Sequence, residues 1–407
     1  FTRRLVDLPS RSRSSISRIP SSKLLEIVTE KSAICAEIGR DLHGYPVRID
    51  LTRLDGALNI ITGMKGSGKS HLAKLLIMRL IEAGAPVLVL DLNAEYVGLK
   101  RIVKGELEIL KPGENLIFDL EYLGKWTFVD VLTNVLFLPE VSANFLSEIW
   151  SSIEKRGKVT LGNLTEVVQR SSANNMVKEA ILSRLKVLAR SGFIKEEGKT
   201  DIRDLVRPGR ASVVVLKELS PVMRKILVEV ILSKVVDQLL SERLDPFFLF
   251  AEEAQLYVRH TYWEDIITRM RHFGLFVTFI TNHLESLSPE IFKQVDNIFL
   301  FTFKNDNDLE KVSRISEVDV KTVKALAKEL PRGVCLAMGK VVNSIPIVIE
   351  VREIGREALG HTRGVFPLAR GYGLHNGASS LNNRVDVEER PCPKGVLQEA
   401  VKGNVDR

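Results

Sequence analysis

The segment Gly63–Ser70 constrains the possible fold more than any other part of the sequence. It reads GMKGSGKS, a glycine followed by four residues and then Gly-Lys-Ser, which is the pattern of a phosphate-binding loop. An apolar run from Ala57 to Thr62 precedes it, and an amphipathic run from His71 to Ile81 follows it. The pattern predicts a strand, a glycine-rich turn and a helix, and therefore an α/β fold built around a nucleoside triphosphate site.

The residue types of this loop suit phosphate binding. Glycines allow the backbone to curl so that successive N–H groups point at phosphate oxygens, and the start of the helix adds its positive dipole end. Lys69 would reach the β- and γ-phosphates, and the Ser70 hydroxyl would bind Mg²⁺. The loop therefore predicts that the protein binds ATP or GTP with Mg²⁺, and of these we expect ATP and Mg²⁺ as the cofactors. The predicted nucleotide contacts are Gly63, Met64, Lys65, Gly66, Ser67, Gly68, Lys69, Ser70 and His71.

A second apolar strand, Phe247–Ala251, ends in two acids, Glu252 and Glu253. An apolar strand that ends in paired acids, downstream of a phosphate-binding loop, is typical of the Walker B arrangement in P-loop ATPases. Glu252 would hold Mg²⁺ through water, and Glu253 would be the general base for the water that attacks the γ-phosphate. The alternative is a charged strand end before a helix start, where acids are favoured in any case.

Two further strand patterns end in polar residues. The run Leu275–Ile280 ends in Thr281 and Asn282, and Asn282 is suited to sense the γ-phosphate by hydrogen bonding, although polar pairs are also common at turns. The run Pro86–Asp91 reads as a strand buried on both faces. It ends in an acidic segment at the edge of the sheet where ligands bind in parallel α/β folds.

Two arginines, Arg269 and Arg271, precede the Leu275 strand on a predicted helix. Arginine can neutralise the charge that develops on a transferring phosphoryl group, and it can do so from a neighbouring subunit. The alternative is a solvated basic helix end that the helix dipole stabilises.

The N-terminal part of the chain differs from the rest in composition. Residues 1–23 are rich in Ser and Arg and predict a basic arm or linker. Residues 24–56 predict a short β segment, because Leu25–Val28 and Pro46–Leu51 have strand composition.

The remaining chain predicts a core with an insertion and a tail. Residues 57–130 and 200–352 alternate strands with helices, and we predict that they form the ATPase core with a mostly parallel sheet. Apolar residues recur at helical spacing between residues 131 and 199, which predicts a helical insertion. Residues 353–407 predict an irregular tail.

The overall composition favours a globular protein with a polyanionic partner. The 407 residues carry a net charge of +7, and the pI is about 9.2. No run approaches the roughly 20 apolar residues of a membrane span, and no secretory signal follows Phe1, so we expect a cytoplasmic location. The three cysteines, Cys35, Cys335 and Cys392, lack metal-ligand spacing and are expected to be reduced. Because the sequence starts at Phe1, an alternative is a fragment that lacks an N-terminal segment, and such a segment would attach the protein to the cytoplasmic face of a membrane.

The order of these elements resembles the HerA/FtsK superfamily, and within it the HerA-type DNA translocases. Four stretches carry the resemblance: Ile38 to Ser70, the strand that ends in Glu252-Glu253-Ala254, the run Arg271–Gly274, and Arg332 to Val351. The resemblance implies a RecA-like motor that assembles into a hexameric ring around double-stranded DNA, with ATP between subunits.

The resemblance also implies roles for single residues. Lys69 and Ser70 take the P-loop roles, and Glu252 and Glu253 take the Walker B roles. Arg271 falls at the position of the family's arginine finger, which acts across the subunit interface. Asn282 falls where the family usually carries Gln. Pore loops contact DNA in this family, and Arg259 and His260 are the residues that we expect there.

Two features depart from the HerA pattern. HerA proteins carry a complete N-terminal β-barrel, whereas little sequence precedes Ile38 here, which indicates a reduced barrel or a truncated sequence. The usual HerA partner, a NurA-type nuclease, is therefore one of two expected partners. The other is a membrane DNA-transfer channel, as in the VirB4-like conjugation motors and the archaeal DNA-import ATPase CedB. The C-terminal tail would brace the adjacent subunit.

The sequence therefore predicts a ring-forming, ATP-driven translocase of double-stranded DNA. The first alternative is the same motor in membrane-coupled DNA import or conjugation. Two alternatives of other classes are a nucleotide-binding switch or scaffold without productive turnover, and an ATPase that moves protein.

Overall fold

The structure, a computed structural model, describes residues 34–355 apart from 104, 254–255, 257–268, 270 and 314–319, together with Pro20, Lys23 and Leu25. All of them belong to the first of two structural units, Phe1–His361. Ala254, Arg259 and His260 lie outside the described residues, as do almost all of the predicted arm and most of the predicted tail.

A single sheet of eleven strands forms the centre of this unit. Its spatial order is β2-β1-β11-β10-β9-β3-β8-β7-β4-β6-β5. In this order, the seven neighbouring strands that run from β9 to β5 pair in parallel. The other four, β2, β1, β11 and β10, pair antiparallel with their neighbours. The predicted α/β class with a mostly parallel sheet is confirmed. The strands are β1 (Cys35–Arg40), β2 (Pro46–Asp50), β3 (Leu58–Thr62), β4 (Val87–Asp91), β5 (Glu106–Leu110), β6 (Arg210–Val215), β7 (Phe247–Glu252), β8 (Leu275–Thr281), β9 (Val295–Leu300), β10 (Val334–Gly339) and β11 (Ile347–Val351).

Helices cover both faces of the sheet. The α-helices are α1 (Lys69–Glu82), α2 (Leu120–Asp130), α3 (Glu140–Glu154), α4 (Leu161–Arg170), α5 (Asn175–Ala189), α6 (Ile202–Leu205), α7 (Pro221–Leu240), α8 (Pro289–Phe292), α9 (Asp306–Ser313) and α10 (Val320–Glu329). A π-helical turn, Val131–Val135, directly follows α2. Among the described residues, no helix is both long and apolar enough to cross a bilayer.

The alternation of side chains in the central strands produces two apolar cores. Every residue of β3, β4, β7 and β8 is buried, which explains their near-continuous apolar sequences. One set of alternate residues packs with α1, and the other set packs with α7 and the helices that follow β5. Because these strands are parallel, their last residues all lie at the same end of the sheet, which we call its carboxyl edge. The site described below lies at this edge.

The helical region starts earlier than the boundary that we predicted at residue 131. Asp119 caps the N-terminus of α2 by accepting a hydrogen bond from Tyr122 N at 2.8 Å. Gly124, with φ of +75°, interrupts the helix, so that the apolar spacing of a regular helix is not visible in this stretch. From Leu120 to Ala189 the chain forms α2, the π-helical turn and α3–α5, and the first two of these pack against α7.

The N-terminal β segment contains one wrong assignment. The run Pro46–Leu51 contains β2, which ends at Asp50, and with β1 it extends the main sheet through the pairing of β1 with β11. Leu25, predicted in a strand, is helical. Its side chain packs in the apolar core on the α1 face, so burial and not strand pairing explains its apolar character.

Candidate functional site

The predicted phosphate-binding loop joins β3 to α1 at the carboxyl edge of the sheet. Three glycines of the loop have φ values that residues with a Cβ atom rarely adopt: +149° at Gly63, +78° at Gly66 and +126° at Gly68. At Gly63, a Cβ atom would also lie 2.6 Å from the Cβ atom of Phe301. The loop is therefore a curled backbone that packs closely against the end of β9, and glycine is required at its ends.

Lys69 holds the loop closed from inside. Its Nζ donates hydrogen bonds to the carbonyl oxygens of Gly63 at 2.9 Å and Met64 at 2.8 Å. Burial lowers the pKa of Lys69 to about 8, although nearby carboxylates, first among them Glu253, favour its charged form. A phosphate oxygen offers this ammonium group a charged acceptor in place of two neutral carbonyls, so the geometry suits a triphosphate.

Two buried carboxyl groups face the loop from neighbouring strands. The parallel pairing of Leu90 with Ala251 places Asp91, the last residue of β4, beside Glu252, the last residue of β7. The two side chains share a hydrogen bond. Burial and the neighbouring acids raise the pKa of Glu252 well above its ordinary value, and burial also raises the pKa of Asp91. Two carboxyl groups this close in a buried site disfavour each other's ionised form, and a bound cation would relieve this repulsion.

Ser70 and Glu252, the two predicted Mg²⁺ ligands, are brought together. The Ser70 hydroxyl lies 3.4 Å from Glu252 Oε1, to which it donates a hydrogen bond. Across the described part of the chain, no three His, Cys, Asp or Glu side chains converge on a possible metal site. In phosphate-transfer sites Mg²⁺ takes most of its ligands from phosphates and water, so one hydroxyl and one carboxylate fit this ion.

Glu253 and Asn282 also meet at this edge. Glu253 follows β7 with a φ of +50°, and its backbone N–H donates to the carbonyl of Ile280 at 2.7 Å. The Asn282 amide nitrogen donates to Glu253 Oε1 at 2.8 Å. A non-glycine residue in left-handed conformation is strained, and at Glu253 this conformation occurs together with the hydrogen bond between its carboxylate and Asn282.

Arg271 lies at the opposite edge of the sheet. It begins a short 3-10 helix before β8, whereas the phosphate-binding loop follows β3, and these two strands run parallel with Thr62 opposite Thr281. With about 3.3 Å per residue, the length of β8 separates Arg271 from the loop by roughly 20 Å. The structure therefore does not bring Arg271 to the site of its own chain, and Arg269 is exposed near the same edge.

The structure adds residues to which the sequence assigned no role. Asp91 accepts hydrogen bonds from the backbone N–H groups of Glu95 at 3.0 Å and Tyr96 at 2.9 Å. Lys74, one turn beyond Ser70 on α1, is buried beside these acids, and burial lowers its pKa. The visible signal was the acid at the end of the Pro86–Asp91 run, but its partner could not be identified without the order of the strands.

The segment before β10 and the end of β11 close the other side of the loop. The backbone N–H of Gly333 donates to the Ser67 carbonyl at 2.8 Å, and His71 Nε2 lies 2.9 Å from the Arg352 carbonyl. Because a carbonyl only accepts, His71 donates from Nε2. All nine residues predicted to contact the nucleotide thus belong to one loop and the first turn of α1, with Met64 exposed at its tip.

Comparison with known proteins finds a family model that matches just under half of the chain. Residues 36–235 match the family model described as "Helicase HerA, central domain". A curated relative, the DNA double-strand break repair helicase HerA of Saccharolobus solfataricus, is 22% identical over 337 residues. The match covers 74% of this chain and 65% of that protein, so the chain spans less than two thirds of its relative.

Solved structures share the fold. VirB4 of Thermoanaerobacter pseudethanolicus superposes with a TM-score of 0.62 at 18% identity, and the match covers 81% of this chain and 99% of that one. The bacterial conjugative coupling protein TrwB gives a TM-score of 0.62 at 16% identity over 84% of this chain and 94% of that one. The family model and the curated relative confirm the predicted resemblance to HerA-type proteins, and the solved structures confirm the RecA-like P-loop fold.

Proposed function

Starting from a chain with a HerA/FtsK-type P-loop ATPase core, we propose that it hydrolyses ATP at the interfaces of a ring and thereby moves double-stranded DNA through a central pore. One observation carries the catalytic part of this proposal. The hydroxyl of Ser70, at the start of α1, lies within 3.4 Å of Glu252 on β7, and Glu253 follows directly with its carboxylate held by Asn282. A phosphate cradle and a candidate base therefore converge on one sheet edge.

Each residue has a distinct task in this proposal. The backbone N–H groups of the loop and the Lys69 ammonium bind the phosphates. Ser70 and Glu252 would hold Mg²⁺, which supplies charge neutralisation between the β- and γ-phosphates. Glu253 orients the attacking water and takes its proton, and Asn282 holds Glu253 in position for this transfer. The solved complex of TrwB with ADP and Mg²⁺ supports this choice of cofactors for a protein of the same fold.

The position of Arg271 supports a ring. Because this arginine lies at the edge opposite its own phosphate-binding loop, it can complete a site only if a neighbouring subunit places its phosphate-binding loop beside it. We propose a hexamer, in which the same contact repeats around a closed ring. The net charge of +7 supports DNA as the molecule in the pore, because phosphate contacts need cationic side chains.

The decisive experiment measures ATP hydrolysis with and without duplex DNA at several salt concentrations. We expect DNA to stimulate turnover, and the stimulation to fall steeply with salt because phosphate contacts release counterions. Lys69→Ala should abolish turnover. Nucleotide binding without turnover in the wild-type chain would instead support a switch or scaffold, and turnover indifferent to DNA would support an ATPase that moves protein.

A second candidate is the same motor in DNA transfer across a membrane. It is supported by the shared fold with VirB4 and with the conjugative coupling protein TrwB. The HerA relative, whose name refers to double-strand break repair, supports the first candidate. Copurification from the native cells would discriminate, because a NurA-type nuclease indicates end resection and a membrane channel indicates transfer. A cytoplasmic position of this ATPase core stays a prediction under both.

A further inference from the structure

One carboxylate, that of Asp296, joins three parts of the sheet edge where Arg271 lies. Asp296 Oδ2 accepts a hydrogen bond from the backbone N–H of Leu58 at 3.0 Å and lies 3.7 Å from Arg271 Nη1. Asp296 Oδ1 lies 2.6 Å from Lys340 Nζ. The side chain of Asp296 is 11% exposed, whereas that of Arg271 is 34% exposed. The carboxylate is thus a nearly buried anchor, and the guanidinium projects from it towards the surface.

Asp296 cannot easily move. A Cβ atom on Gly339 would lie 2.0 Å from the backbone oxygen of Asp296, so β10 packs directly against this peptide. The bond to Leu58 fixes the carboxylate to the first residue of β3, which is the strand that leads to the phosphate-binding loop. A carboxylate held by one backbone N–H and one lysine has a defined orientation, and it presents the same face to Arg271 in every copy of the chain.

A buried polar network stands directly behind this anchor. Asn297 Nδ2 donates to Asn59 Oδ1 at 2.8 Å, and the backbone N–H of Val341 donates to Asn297 Oδ1 at 2.7 Å. Asn59 Nδ2 in turn approaches the Thr278 hydroxyl at 3.5 Å. The three side chains are at most 2% exposed, and they lie on β9, β3 and β8. Satisfied polar networks of this kind fix strand register and make the joined strands rigid.

From these contacts we propose that Asp296 is a positioning residue that sets the orientation in which Arg271 is presented to the nucleotide site of the next subunit. This inference rests on the proposed function, in which Arg271 completes a neighbour's site. A flexible surface arginine loses side-chain entropy when it binds a phosphate. An arginine that is already held by a carboxylate has less entropy to lose, so its contact with the phosphate costs less free energy. Asp296 touches no substrate in this arrangement, so its effect is expected in turnover and not in nucleotide binding.

The test uses mixtures of two inactive chains. A Lys69→Ala chain lacks its own nucleotide site but offers Arg271, and an Arg271→Ala chain has the site but no arginine to offer. Mixed assemblies should recover turnover where the two chains meet. Asp296→Asn is then added to one chain at a time, because the asparagine keeps an oxygen that accepts from Leu58 N but loses the negative charge that forms the ion pair with Arg271.

We expect an asymmetric result. Asp296→Asn on the Lys69→Ala chain, which offers the arginine, should lower the recovered turnover by about tenfold to a hundredfold, as misplaced catalytic groups do. The same substitution on the Arg271→Ala chain should leave it unchanged. Asp245→Asn on the arginine-offering chain is the matched control, since it neutralises an exposed carboxylate just before β7, at the same end of the sheet, and should leave turnover near its starting value.

Three outcomes overturn the proposal. An equal loss from either chain would mean that Asp296 only supports β3, and no loss from either would mean that Arg271 needs no anchor. Absence of recovery in the starting mixture would remove the shared site itself and the proposal with it. In that case the ATPase activity of the wild-type chain shows separately whether the proposed hydrolysis stands.

Discussion

Asn282 donates a hydrogen bond from its amide nitrogen to Glu253 Oε1 at 2.8 Å, across two neighbouring strand ends. The two residues are 29 positions apart in sequence, and the pairing of β7 with β8 brings them together, with Glu252 opposite Ile280. The amide donor fixes the position of the carboxylate, and a general base must be held within reach of the water whose proton it takes. The contact therefore gives Asn282 a task even before any γ-phosphate is bound.

Glu253→Gln should separate ATP binding from ATP hydrolysis. The glutamine keeps the size of the side chain but cannot take a proton from water, so we expect kcat to fall by about 10²–10⁴-fold. Nucleotide affinity should change little, because Lys69 and the loop backbone remain. Stopped-flow binding of a fluorescent ATP analogue and steady-state hydrolysis check the two halves. Normal turnover in this variant would show that Glu253 is not the base.

Asn282 should tolerate glutamine better than alanine. Asn282→Ala removes the donor that orients Glu253, and we expect a loss in kcat of about tenfold to a hundredfold with ATP affinity nearly unchanged. Asn282→Gln keeps an amide, the group that the resemblance implies at this position, and should retain most of the activity. Asn282→Asp sets a second carboxylate beside Glu253 and should be the least active of the three variants. Equal turnover in all three would contradict a role for the amide.

The strand-turn-helix at the phosphate-binding loop could be predicted closely because its signals are local. The predicted strand, Ala57–Thr62, corresponds to β3, and the predicted Pro86–Asp91 strand corresponds to β4. Glycine spacing and continuous apolar runs are properties of short segments, and no distant contact is needed to interpret them. The early start of the helical region was missed for the converse reason, since Gly124 breaks the apolar spacing of α2.

The contacts between distant strands could not be predicted in the same way. Asp91 and Glu252 meet only because β4 lies next to β7, and nothing in either segment specifies that order. The same holds for Asp296 and Arg271, which become neighbours through β3, β8 and β9. Sequence patterns indicate which residues end a strand at a given edge, but pairing across a sheet depends on the whole topology.

Arg271→Ala should abolish hydrolysis while ATP binding persists, and mixing should reveal why. If the arginine acts on a neighbour, an Arg271→Ala chain and a Lys69→Ala chain, each inactive alone, should regain turnover when assembled together. Arg269→Ala is the matched control, because it removes a cation two residues away and should remain active. A mixture that stays inactive, although size-exclusion chromatography shows mixed assemblies, would argue against action across an interface.

A buried acid to which we assign no role in nucleotide binding should make stability depend on pH. Glu229 on α7 is 2% exposed and faces the π-helical turn, where the Asn134 side chain bonds to it. Burial, with a smaller contribution from the charge of Asp130, raises the pKa of Glu229 from 4.5 to about 7. Below pH 4.5 the carboxyl group is protonated in both the folded and the unfolded chain, so its ionisation does not lower the free energy of unfolding there. Between pH 4.5 and 7 only the unfolded chain ionises, and the free energy of unfolding falls as pH rises.

Glu229→Gln should therefore be more stable than the wild-type chain at pH 8 and equally stable near pH 4.5. At about 1.4 kcal/mol per pKa unit, the gain at pH 8 is about 3 kcal/mol as an upper value, because a neutral amide avoids the burial of a charge and can still bond to Asn134. Urea unfolding at both pH values measures the difference between variant and wild type. The exposed Glu154, changed to Gln in the same way, should shift the unfolding free energy by less than about 0.5 kcal/mol at either pH. If Glu229→Gln does not raise the free energy of unfolding at pH 8, or raises it equally near pH 4.5, then ionisation of the buried Glu229 does not destabilise the folded chain.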